Sequence, residues 1–155
     1  MIKVASYNMH KSVGLDRRCD PERTLHVLKE IDADVVALQE ADRRFGKRMS
    51  VIAPHLLDEH TDWKPVPVTM RPLSMGWHGN VLLVRKSAEV VDCEPIHLPA
   101  LEPRGAVLAD VRIGRAVLRI VGMHLDLSGL WRRRQAKAIL SHLTARGASV
   151  PTVMM

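Results

Sequence analysis

The opening forty residues place an apolar strand, a capped helix and a second apolar strand in direct succession, and this β-α-β order constrains the fold more than any other feature of the chain. Residues 2–8, IKVASYN, read as a first strand that stops at Asn8. After the loop HKSVGLDRR, Asp20-Pro21-Glu22 supplies an N-cap, a proline at the first helical position and an early acid. Leu25, Leu28 and Ile31 give the helix a buried stripe, and it is expected to run to about Glu30. Asp34 to Gln39 then form a second strand whose Val35-Val36-Ala37-Leu38 run is apolar throughout, the pattern of a strand buried on both faces. Such a strand should avoid carboxylates, yet it ends in Gln39-Glu40-Ala41-Asp42, and Glu40 there requires a reason.

Beyond this opening the periodicity predicts a less regular helix from Phe45 to His60, with Met49, Ile52, Leu56 and Leu57 inward. Pro65, Pro67 and Pro72 then break any long element and leave a loop-rich stretch through Trp77. Val81–Val84 and Val90–Ile96 read as short strands, and residues 104–125 as a hairpin turning at Gly114-Arg115. Ser128 is placed to cap a final helix, Leu130 to Arg146, with Trp131, Ile139 and Leu143 on its buried side and Gly147 closing it. The last residues, VPTVMM, form another strand-like apolar run with nothing polar after it. The expectation is a single domain over residues 1–155, truncated at its C-terminal end.

Composition narrows the partners. No apolar segment is long enough for a transmembrane helix, and MIKVASYNMH is too short and polar for a signal peptide, so a cytoplasmic location is expected. Cys19 and Cys93 sit in no CxxC or Cys/His cluster, which excludes a zinc finger or a thiol redox motif and leaves free thiols. A formal net charge of +6 favours polyanionic partners: nucleic acid, other phosphoesters or anionic lipid headgroups. Much of that charge lies in Arg17-Arg18, Arg43-Arg44 and Arg132-Arg133-Arg134, runs that read equally as solvated faces. With one Phe and one Tyr, a stacking platform for single-stranded bases has little to be built from.

Three polar residues stand at the carboxyl ends of apolar strands: Asn8, Glu40 and His124. In sheets flanked by helices, strand-end crevices are where ligands collect, so the three together point to one site. Each also has a plain structural reading: a turn asparagine, a glutamate paired with Arg43, a satisfied core histidine. If the hairpin turns at Gly114, Arg104 and His124 each lie ten residues from the turn and fall opposite one another. A guanidinium and an imidazole at one sheet edge suit a phosphate oxyanion, whereas the alternative is an Arg104 exposed in a loop.

ASYNMHKSVG, DVVALQEAD, HGNVLLVRKS, PRGAVLADV and VGMHLDLSGLWRRRQ, in this order and spacing, resemble successive motifs of the endonuclease/exonuclease/phosphatase superfamily, the DNase I-like fold. The resemblance runs over essentially the whole chain and implies an α/β fold, a four-layer sandwich of two mixed β-sheets with helices outside, here incomplete. It implies a metal-dependent hydrolase of phosphodiester or phosphomonoester bonds, acting by in-line attack of water with Mg2+ or Mn2+. Residue by residue it makes Glu40 the metal-binding carboxylate, Asn8 the asparagine at the metal and phosphate, and His124 the histidine that contacts the phosphoryl group. Arg104 matches a substrate-binding position, and Gln135 a position that braces the site. The family continues past a strand like VPTVMM into GDFN and later SDH motifs, which position the metal and the attacking water; neither occurs in these residues, so activity is expected of an intact parent. Nucleic acid, nucleotides and phospholipid headgroups are all substrates of this fold, and oligomeric state is not legible. The competing reading is a noncatalytic module that binds phosphate, lipid headgroups or nucleic acid.

Overall fold

A computed structural model describes residues 1–43, 49–68, 73–99, 104–147 and 149–155. The opening order is realised as β1 (Val4–Asn8), α1 (Pro21–Ile31) and β2 (Val35–Gln39). Asp20 caps α1 by accepting the Arg23 N–H at 3.0 Å, and Pro21 occupies the first turn, where its missing N–H costs nothing. β1 and β2 run parallel with Asn8 level with Gln39, so the residues at both strand ends emerge at one sheet edge.

The first sheet has the order β1-β2-β4-β3, with β4 (Val81–Arg85) antiparallel to both β2 and β3 (Trp63–Pro65). The second has the order β5-β6-β7-β8, from β5 (Glu89–His97), β6 (Gly105–Ile113), β7 (Ala116–Met123) and β8 (Thr152–Met154). Its pairs are antiparallel except β7 with β8, so both sheets are mixed.

The doubly apolar run of β2 now has its explanation. Val35 and Ala37 point between the sheets, where they join Leu82 and Val84 against Val107, Ala109, Val111 and Ile120. Val36 and Leu38 point the other way, into a core with Leu25 and Leu28 of α1 and Leu57 of α2 (Pro54–His60). On the far side of the second sheet, Ile139 of α3 (Gly129–Arg146) packs with Ala106, Leu108 and Val121. Helices, sheet, sheet and helix make the four-layer α/β sandwich, and each buried Val, Leu or Ile contributes about 1.5–3 kcal/mol by leaving water. At Gly122 the facing sheet leaves no room for a side chain: a Cβ there would lie 2.7 Å from Leu82 Cδ2 and 3.3 Å from Ala37 Cβ.

Three local expectations are corrected. The helix expected from Phe45 to His60 begins only at Pro54. Phe45 lies outside the described residues, and a residue before proline disfavours helical ψ, as Ala53 shows with ψ 134°. Upstream, the Ser50 and Val51 amides donate to Leu73 O and Ala41 O, each at 2.8 Å, instead of to a helical turn. Ile52 and Leu57 are buried as expected, but Met49 is exposed. Within the stretch expected to be loop, Trp63–Pro65 form β3, anchored by the Trp63 indole N–H on Ala33 O at 2.9 Å. Ser128 stands at the N-cap of α3 without a side-chain capping bond, and Trp131 is only half-buried, its ring covered by Arg134 at 4.9 Å.

A buried ion pair ties the second sheet together. Arg119 on β7 donates from Nε to Asp110 Oδ1 at 2.8 Å and from Nη2 to Asp110 Oδ2 at 2.9 Å, a bidentate fork between neighbouring strands. Its Nη1 reaches Gly147 O at 3.0 Å and so holds the end of α3 to the sheet.

Candidate active site

At the carboxyl end of β1 the chain turns sharply. His10, Lys11 and Ser12 all have positive φ, at 46°, 56° and 59°, a conformation that costs an L-residue about 1–2 kcal/mol and persists only when its surroundings hold it. Here backbone bonds do so: Met9 N–H donates to Gln39 O at 3.2 Å, Lys11 N–H to Glu40 O at 3.1 Å, and Asn8 Oδ1 accepts the His10 N–H at 3.0 Å. The turn brings Lys11 back over the end of β2. Glu40, itself at φ 56°, presents its carboxylate to this turn: Asn8 Nδ2 donates to Oε1 at 3.3 Å, and the Lys11 ammonium pairs with Oε2.

The second sheet supplies the opposite wall. Ala106 pairs with Met123, so one step outward brings Gly105 level with His124, and Arg104 stands one residue beyond the expected register. Its side chain closes that gap: Nη1 lies 2.7 Å from Nδ1 and 2.9 Å from Nε2 of His124. Both side chains are half-buried rather than solvated, which answers the alternative of an exposed loop arginine. Gln135 reaches this wall from α3, fully buried, with Oε1 accepting the Asp126 N–H at 2.8 Å and Nε2 donating to Pro99 O at 3.2 Å. It fixes the loop that follows His124 to the end of β5.

The two walls belong to one electrostatic environment. Burial pushes the Glu40 carboxyl up, but the hydrogen bonds from Lys11 and Asn8, together with the charges of Lys11 and His124, outweigh it and hold the group below the ordinary carboxylate value. Glu40 is therefore an anion at neutral pH.

Among the described residues no three His, Cys, Asp or Glu side chains converge as they would in a closed metal cage. The donors at the strand ends are one carboxylate and one amide. That set fits a hard divalent cation such as magnesium, which keeps several waters and takes one or two carboxylates plus substrate phosphate oxygens. It does not fit a tetrahedral zinc site.

Asn8, Glu40, Arg104 and His124 are thus gathered at one end of the sandwich, at the seam between the sheets. Two further residues there escaped sequence reasoning. Lys11 gave no signal beyond a charge three positions past Asn8, because its approach to Glu40 depends on three consecutive left-handed residues. Asn80, in the HGN stretch, is buried, and its Nδ2 donates to Trp77 O at 3.2 Å and Gly105 O at 3.0 Å. It ties β6, beside Arg104, to the loop whose Gly79 O accepts the Ala41 N–H at 3.0 Å.

Known structures share this architecture. The mannosyl-6-phosphatase of Bacteroides thetaiotaomicron superposes with a TM-score of 0.72 at 14% identity, over 99% of this chain and 64% of that one. Danio rerio TDP2 complexed with a single-strand DNA product gives 0.69 at 18%, over 99% and 58%. The human Nocturnin catalytic domain with bound sulfate gives 0.68 at 18%, over 99% and 63%. The chain therefore spans about six-tenths of the length of these relatives in fold. No curated protein matches the sequence. The profile of the Endonuclease/Exonuclease/phosphatase family matches residues 5–152, and the chain belongs to that family.

Proposed function

We infer that this chain carries the metal-binding and phosphate-binding half of a metal-dependent phosphoesterase. The observation that carries the reading is the convergence, from two different sheets, of Glu40 bonded to Asn8 at 3.3 Å with Arg104 against His124 at 2.7 Å. Glu40 holds a magnesium or manganese ion through a carboxylate oxygen, and the apolar strand behind it keeps that oxygen in place. Asn8, fixed by the His10 amide, orients the carboxylate through its side-chain N–H. His124 and Arg104 hold phosphoryl oxygens from the opposite wall, where donors placed in advance stabilise the charge that develops in the transition state. Bound at Glu40, the cation supplies Lewis-acid charge to the same phosphoryl group.

The family relationship supports phosphate-ester hydrolysis as the reaction class, and the superposed phosphatase and DNA-bound structures support substrates that carry phosphate. The net charge of +6 suits such polyanions, whether nucleic acid, nucleotide or phospholipid headgroup. The unpaired Cys19 and Cys93 suit a reducing, cytoplasmic setting. Among the described residues no helix is long and apolar enough to cross a membrane. Attack of water on the phosphoryl group is part of this reading for a protein of the length of the superposed structures, of which this chain spans about six-tenths.

The test is a panel assay of the full-length protein with magnesium or manganese against duplex DNA, RNA, bis-p-nitrophenyl phosphate and phospholipid. Glu40→Gln should remove most of the metal-dependent turnover while leaving the protein folded, with at most a modest fall in melting temperature from loss of the Lys11 pair, since it exchanges a charged oxygen ligand for an amide of similar shape. Undiminished turnover in that variant would sink the reading.

A further inference from the structure

The loop residue that sequence reasoning passed over occupies the atom a cation needs. Both carboxylate oxygens of Glu40 are filled from within the chain, Oε1 by Asn8 Nδ2 and Oε2 by the Lys11 ammonium. Asn8 is a neutral donor that orients the group. Lys11 is a unit positive charge held against the Glu40 carboxylate, in a pair whose side chains are 32% and 21% exposed. The backbone delivers it there deliberately: three successive left-handed residues and the Lys11 N–H bond to Glu40 O return this side chain to Glu40.

We propose that Lys11 is an intramolecular cation that competes with the divalent metal for Glu40, so that the metal binds only as the ammonium is displaced. Two positive charges cannot share one carboxylate at contact distance without strong repulsion in a partly desolvated crevice. Exchanging one cation for the other keeps the carboxylate neutralised in both states. The site therefore stays ordered without metal, and its apparent metal affinity is set by the difference between two ion pairs. This inference rests on Glu40 being the cation ligand.

The experiment is a titration of the full-length protein with manganese, following the electron paramagnetic resonance of the free ion at fixed pH and ionic strength, with no substrate present. Lys11→Met keeps the length of the aliphatic stem and removes the charge, and it should bind manganese about tenfold or more tightly than the parent protein. Lys11→Arg, which keeps a cation in reach, should stay close to the parent. Should Lys11→Met melt early, Lys11→Gln carries the same expectation. Unchanged or weaker manganese binding in the charge-removing variants, with binding still abolished by Glu40→Gln, would overturn the competition and leave the metal site standing. Manganese binding that survives Glu40→Gln would overturn the metal site itself, and the competition with it.

Discussion

Arg104 Nη1 lies 2.7 Å from His124 Nδ1 and 2.9 Å from His124 Nε2, so the guanidinium rests against the imidazole ring rather than pointing at one of its nitrogens. The two groups lie side by side at adjacent strand ends, a guanidinium and an imidazole, each with N–H donors. An anion placed between the sheets can be bonded by both.

Replacing either residue with Ala in the intact enzyme should therefore cost about 2–4 kcal/mol of transition-state stabilisation, the scale of removing one oxyanion donor. Manganese affinity should barely change, because neither residue is a ligand. Turnover and manganese titration on the same two proteins check this, and full turnover in both would refute the clamp.

The Arg119–Asp110 fork gives a stability prediction. Both side chains are almost wholly enclosed, at 5% and 11% exposed, so Asp110→Ala leaves a guanidinium buried without its counterion. The expected loss is about 3–5 kcal/mol, read as a lowered urea midpoint. A loss below about 1 kcal/mol, the scale of a solvated pair, would show that water reaches Arg119.

The same network extends to Arg146, whose Nη2 lies 3.5 Å from Asp110 Oδ2, and this extension should make the protein acid-sensitive. Arg146, near the end of α3, pairs with Asp92 and Glu94 of β5. Its bond to Asp92 holds that carboxyl below the ordinary value. Burial pushes Glu94 up, but the bonds from His142 and Arg146 outweigh it and lower that carboxyl too. Between the lowered and the ordinary values the unfolded chain binds more protons, so acid favours unfolding. The stabilisation is present above about pH 4, the ordinary carboxylate range, and is lost as pH falls through the folded-state values. Melting temperatures of the parent and Arg146→Met should differ most near neutrality and converge as the pH falls below the ordinary carboxylate range. A gap that does not change with pH would assign Arg146 a packing role alone.

Gly122→Ala tests the distance between the sheets. The added methyl meets Leu82 Cδ2 at 2.7 Å and Ala37 Cβ at 3.3 Å, and both neighbours are buried, each 1% exposed. A destabilisation of about 1–3 kcal/mol is expected, as for overpacked cores, and thermal melting reads it. A neutral result would show that the sheets part easily.

What was legible in the residues follows from how local the cause is. β2 was readable because burial on both faces demands an unbroken apolar run, and α1 because Asp20 and Pro21 act within one turn. The turn at Gly114-Arg115 was readable, yet a one-residue difference in register moved Arg104 past His124, since a hairpin's pairing depends on where the turn closes. The helix before Pro54 failed because backbone bonds to Ala41 and Leu73, distant in sequence, outcompeted a weak local pattern. β3 was hidden by Pro65 within it and Pro67 just past it, which an edge strand tolerates and a central strand does not. Lys11 and Asn80 were invisible for a related reason: a left-handed turn and a bond across the seam are decided by partners far along the chain.

Glu40 stands on one sheet, Arg104 and His124 on the other, and no covalent path shorter than the intervening chain fixes their separation. What fixes it is the apolar filling between the sheets, so the site works as a vernier whose two scales are the sheets themselves. A slip of a few tenths of an ångström in the packing around Leu82 and Gly122, far from any reacting atom, would be read out at the strand ends as a misaligned grip on phosphate. On the function proposed here, loss of turnover would then precede any loss of helix or strand, and the site would fail by shear before the fold failed by melting.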